Sequence, residues 1–106
     1  MKISIEEQED MLYKLSNIAV RKKNINYKKY IEIFGFIVLK ERYRVNMSPR
    51  IAVSFLDKED SILYSTEGGY RGNLNDAGKA VFHFLIEDDK ESWIDKVLDV
   101  KFSIMI

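Results

Sequence analysis

Three stretches of this chain combine residue types and spacings that bear on chemistry. The first is "STEGGYRGNLNDAGKA", Ser65 to Ala80, which packs four of the chain's five glycines into eleven positions and sets Lys79 after the last of them. Glycine-rich turns ahead of a helix can cradle phosphate with backbone N–H groups. A phosphate loop, however, needs four residues between its first glycine and the Gly-Lys pair, followed by a hydroxyl for magnesium. Here Gly72 and Gly78 are separated by five residues, and Ala80 stands where the hydroxyl would be. Gly68, Gly69 and Gly72 also miss the dinucleotide-binding register, and no βαβ unit surrounds them. The stretch therefore reads as a turn. Gly68 and Gly69 supply positive φ angles, Asn73 or Asn75 caps the next helix, and Tyr70 and Arg71 are left to touch a partner.

The second stretch is centred on His83, the single histidine, with Glu87 four residues on. General acid–base catalysis requires a second group and a pocket, and the sequence offers no such set. A surface or boundary histidine is expected, and the chain is not read as an enzyme. With no cysteine in the chain, disulfides, thiolate zinc sites and cysteine nucleophiles are excluded. "EDDKE" lacks the spaced ligands and turn glycine of a calcium loop. No metal and no cofactor are expected.

The third stretch is the last quarter. On a helix over 87–99, Glu87, Glu91, Asp95 and Asp99 would fall four residues apart on one face, with Asp88 close by and Trp93 to the side. Like charges at that spacing repel by a few tenths of a kcal/mol per pair. Such a ridge is explained by something positive facing it, either the chain's own cations or a basic partner.

The charge distribution sharpens that choice. The 106 residues carry no net charge, yet residues 21–50 hold nine basic side chains against Glu32 and Glu41, while residues 51–99 hold eleven acidic and five basic ones. The two halves either neutralise each other in the fold or form separate faces. "RKKNINYKKYIEIF" interleaves cations with tyrosines, as nucleic-acid surfaces do. Tyr27 and Tyr30 share a helical stripe with Ile31 and Phe34, however, and a pI near 6.6 weighs against a dedicated binder.

The elements that must position these residues follow from periodicity. Ser4 and Glu7 form a capping-box pattern, and Met11, Leu12, Leu15, Ile18 and Ala19 predict a helix over 5–22. Tyr27, Tyr30, Ile31, Phe34 and Val38 predict a second helix over 27–44, capped by Asn24 or Asn26, with a strand or hairpin as the alternative for "IEIFGFIVL". After Pro49, "RIAVSFL" alternates and predicts an antiparallel hairpin of 50–56 with 61–65. Ala77, Ala80, Val81, Phe84 and Leu85 predict a helix over 76–87; Trp93, Ile94, Val97 and Leu98 predict a short last one. "VKFSIMI" predicts a C-terminal strand. The expected fold is a single α+β domain over 1–106, soluble and cytoplasmic. No signal peptide is expected, because the first residues turn acidic, and no apolar run approaches the roughly 20 residues that span a bilayer.

In general character the chain resembles the small bacterial immunity proteins that neutralise toxin domains of contact-dependent or similar systems. The features that carry the resemblance are its small size, its lack of cysteine and of a catalytic set, the acidic residues of 87–99 with Trp93 and Tyr70, and a Lys-, Ile- and Asn-rich composition. The resemblance implies a protein-binding inhibitor, an antitoxin in the broad sense. It would use Glu87, Asp88, Glu91, Trp93, Asp95, Asp99, Tyr70 and Arg71 against a basic toxin domain, such as a nuclease. The alternative is a small nucleic-acid-binding or regulatory protein working through residues 21–50.

Overall fold

The structure is a computed structural model that describes residues 1–6, 12–40, 49–89 and 92–105. It is built almost wholly of strands, so the expected α+β fold is not the one formed. Among the described residues, seven strands, β1 (Lys2–Ile5), β2 (Tyr13–Ile25), β3 (Lys28–Leu39), β4 (Arg50–Leu56), β5 (Ile62–Gly68), β6 (Lys79–Glu87) and β7 (Asp99–Met105), occur with one four-residue α turn, α1 (Leu74–Ala77), and a 3₁₀ turn over Trp93–Lys96. They form two sheets, ordered β1-β7-β4-β5 and β2-β3-β6. All neighbours are antiparallel except β1 and β7.

The helix expected over 5–22 is corrected by a β-bulge. In β2 the register against β3 shifts between Ser16 and Ala19, so Asn17 and Ile18 face the single residue Gly35. Asn17 takes a φ of 51°, which asparagine tolerates. Tyr13 and Leu15 point to the core before the bulge, and Ile18 and Val20 pack on it afterwards. The step from Leu15 to Ile18 is three residues, so a bulged strand imitates helical spacing. Met11 and Glu7 lie outside the described residues.

The strand alternative for "IEIFGFIVL" is the one formed. Ile31, Ile33, Ile37 and Leu39 of β3 are buried on alternate positions, as a strand with one core face requires. Asn26 is no helix cap. Asn26 and Tyr27 have φ of 51° and 67° in a two-residue turn between β2 and β3, the geometry that favours asparagine in hairpins.

The helix over 76–87 is replaced by α1 and β6. Gly78 ends α1 with a φ of 74° and donates its N–H to the Leu74 carbonyl at 2.9 Å. From there Ala80 and Phe82 are buried, while His83, Leu85 and Glu87 are exposed. Both faces of this strand carry apolar side chains, so periods of 2 and 3.6 fit its sequence equally. The 50s hairpin and the C-terminal strand form as expected, with β4 pairing β5 on one side and β7 on the other.

One core lies between the sheets. Ile31, Ile33, Ile37 and Phe82 of the three-stranded sheet meet Ile51, Val53, Phe55, Val100 and Phe102 of the other. The Phe82 and Phe102 rings lie 6.5 Å apart across the interlayer. Gly35 is required here: a Cβ on it would stand 2.5 Å from Phe82 Cζ. Gly35→Ala is expected to destabilise the protein by about 1–3 kcal/mol through overpacking. In urea unfolding, the double variant Gly35→Ala/Phe82→Leu should lose less than the two single losses added together.

Candidate interaction face

The outer face of the three-stranded sheet brings exposed aromatic, apolar and charged side chains together. Residues directly opposite on paired strands point to the same side, so the registers define five rows across β2, β3 and β6. They are Lys14–Val38–Lys79, Ser16–Phe36–Val81, Ala19–Phe34–His83, Arg21–Glu32–Leu85 and Lys23–Tyr30–Glu87. The strands place these groups because their partners on the alternate positions are buried in the core.

The centre of the face is apolar. Phe34 and Leu85 are 42% and 49% exposed, far more than core side chains of their type. Phe34 meets Phe36 edge to face with ring centres 5.9 Å apart. His83 packs against the other side of Phe34 at 6.4 Å. Lys79 places its ammonium 4.8 Å from the Phe36 ring centre, a cation–π contact that occupies that ring.

Beside the apolar centre stands a carboxylate hub. Glu32 accepts from Arg21 Nη2 at 2.6 Å, Lys23 Nζ at 2.9 Å and His83 Nε2 at 3.0 Å. Hydrogen bonds from Lys23, His83 and Arg21, in that order of effect, hold its carboxyl at about 2, below its ordinary 4.5. An ionised carboxylate only accepts, so Nε2 is the nitrogen of His83 that carries the proton. Glu32 was not singled out in the sequence. Its role arises because β3 lies between β2 and β6, which sequence spacing does not reveal.

The residues expected to form an acidic ridge are dispersed. Glu87 is the last residue of β6, Asp95 lies in the 3₁₀ turn and Asp99 opens β7, so no helix aligns them. Glu91 lies outside the described residues. Glu87 pairs with Lys28 at 3.2 Å, and Asp95 pairs with Lys29, whose hydrogen bond lowers the Asp95 pKa. The second quarter's lysines therefore answer these carboxylates. For Glu87 and Asp95, the picture of a helical, unanswered acidic ridge is corrected. Asp88 joins its backbone N–H to the Lys29 carbonyl, and its carboxylate oxygens are buried without a partner among the described residues.

Trp93 is 4% exposed, stacked on Tyr64 at 4.9 Å and packed on Phe55, so it belongs to the core rather than to a contact surface. Tyr70 also packs against the core, and Arg71 is exposed and bridged to Val81. The positive-φ glycines are Gly72 and Gly78, not Gly68 and Gly69 as expected; Gly68 lies in β5.

Several cations of the basic segment are also engaged. Besides the pairs above, Lys22 donates to the Val97 carbonyl at 3.2 Å and Arg50 to Glu67 at 3.1 Å. No cluster of three or more ligating side chains suited to a metal occurs among the described residues. No helix among them is long and apolar enough to cross a membrane. No family model, curated protein or solved structure matches the chain.

Because the folded-state pKa of Glu32 is lowered, its contribution to stability is full above pH 4.5 and is lost as pH falls towards about 2. Glu32→Gln is therefore expected to be less stable than the parent at neutral pH. The difference should close across that acid window in a series of urea unfolding curves.

Proposed function

We propose that the chain is a protein-binding inhibitor that acts through the outer face of β2, β3 and β6, and not through the carboxylates of its last quarter. The observation that carries this reading is the exposed pair Phe34 and Leu85 beside a rim of charges already ordered by Glu32. Binding energy at protein interfaces concentrates in a few desolvated aromatic and apolar anchors, with polar groups around them excluding water. A pre-ordered rim also lowers the entropy lost on docking.

The partner's chemistry follows from the face. Lys14, Arg21, Lys23 and Lys79 stand against Glu32 and Glu87, and Glu87 is already met by Lys28. A partner with an apolar centre and carboxylates around it complements that excess of cations. The resemblance to immunity proteins supplies the class, a toxin domain bound directly. His83 fits the rim better than a catalytic role, since its ring is held between Glu32 and Phe34.

A second reading, single-stranded nucleic acid, is favoured by the outward Phe34 ring among cations, since such rings stack on bases. It is the weaker of the two, because Phe36 is occupied by Lys79 and, among the described residues, Arg21, Lys23, Lys28 and Lys29 are each already paired with a carboxylate.

The test is to look for a toxin domain encoded beside the gene for this chain and to titrate the chain with it. Phe34→Ala is expected to cost about 2 kcal/mol or more of binding free energy, roughly thirtyfold in Kd. Asp95→Lys should change affinity little. Equal losses from both variants, or absence of a toxin domain that binds, would overturn the reading. Retention of a labelled single-stranded oligonucleotide at low salt, lost in Phe34→Ala, would instead select the nucleic-acid reading.

A further inference from the structure

The sheet orders leave β5 at one end of the four-stranded sheet and β6 at one end of the three-stranded sheet. These two free edges lie beside each other. Just beyond β5, Arg71 and Val81 exchange two backbone hydrogen bonds, at 2.7 and 3.2 Å. Three residues back along that strand and three forward along β6, Gly68 lies under the Phe84 ring, where an added Cβ would come within 2.3 Å of it. Both contacts belong to one antiparallel register, and its continuation would set Thr66 opposite Ile86.

That continuation is not formed. Among the described residues β5 pairs only with β4, and β6 pairs only with β3 apart from the Arg71 bridge. A groove of about 440 Å³ lies instead between Tyr64 and Thr66 on one side and residues 83–87 of β6 on the other. The seam is closed at Arg71 and open from Thr66 onward. Core-side residues along the open part are incompletely covered. Tyr64 is 39% exposed, and Phe84 and Ile86 are only partly buried, while Ala80 and Phe82 earlier in the same strand are buried.

We propose that this open seam binds an extended polypeptide segment of the partner by strand addition between β5 and β6. Unpaired backbone donors and acceptors on a strand edge are met by the backbone of another strand. Here both walls of the groove are such edges, so the occupant must be free on both of its own edges. A second copy of this chain does not meet that condition, because its β5 is held by β4 and presents one edge alone.

The occupant's side chains alternate between the two faces. Apolar residues fit the positions facing Tyr64, Phe84 and Ile86. Polar residues fit those facing His83 and Glu87. The edge itself carries few defences: β5 has no cation and no proline, and Ile62 at its start is 65% exposed. By contrast, β2 is bulged and bears Arg21, Lys22 and Lys23. The inference rests on the reading of the chain as a protein binder, but not on the outer face itself.

The test uses short random peptides displayed and selected against the full chain, with the enriched peptides synthesised as probes. The chain has no cysteine, so a Thr66→Cys variant carries the single thiol. Saturating peptide is expected to slow alkylation of that thiol by about tenfold or more, as burial under an added strand requires. A Leu98→Cys thiol, at a position 50% exposed and outside the groove, should be unaffected. Methylating alternate backbone nitrogens of the peptide should abolish the effect. Failure to enrich any peptide, or an unchanged Thr66→Cys rate with bound peptide, overturns the proposal. Peptide uptake by the Phe34→Asp chain with no toxin-domain binding by the parent would overturn the outer-face reading alone.

Discussion

The arrangement turns on the fit between Gly35 and Phe82. The Phe82 ring fills the space where a side chain at Gly35 would stand, at the middle of the three-stranded sheet. From there it reaches the other layer at Phe102. The bulge in β2 lies opposite the same glycine, so two residues of one strand cover the one position that has no side chain. On the outside, Phe34 and Phe36 flank Gly35 and meet edge to face. A packing requirement of the core thus fixes where the exposed aromatics stand.

Charge is organised around that same strand. Part of the polarity visible along the chain is answered within the fold, where Lys28, Lys29 and Arg50 meet Glu87, Asp95 and Glu67. Such exposed pairs contribute little stability each. Their consequence is for recognition, since carboxylates already answered have less to offer a basic partner. Glu32 differs because it gathers two cations from β2 and the His83 ring from β6 and orders them beside an apolar centre. The open surface left by this pairing is apolar in the middle and modestly positive at its edge.

Edges distinguish the two sides of the molecule. At one side the β2 edge is bulged and lysine-rich, features that discourage pairing. At the other, β5 and β6 start to close and stop at Gly68 and Phe84, where the ring fills the space a longer side chain would need. The outer face and the open seam share His83 and Leu85, so the two candidate contact regions are continuous.

Strand alternation was legible wherever one face was plainly polar, as in "RIAVSFL" and "VKFSIMI", and these became β4 and β7. It was hidden in β2 by the bulge, which turned a step of two into a step of three, and in β6 by apolar residues on both faces. Glu32 carried no signal, because its partners Arg21 and His83 lie eleven and fifty-one residues away. By itself the sequence determined the break between strands in the glycine stretch, though not which glycines turn, together with the absence of cysteine and the charge polarity. Only tertiary structure decided that β3 lies between β2 and β6, which acids meet which bases, and that Trp93 is buried, because these depend on strand pairing between residues far apart in the chain.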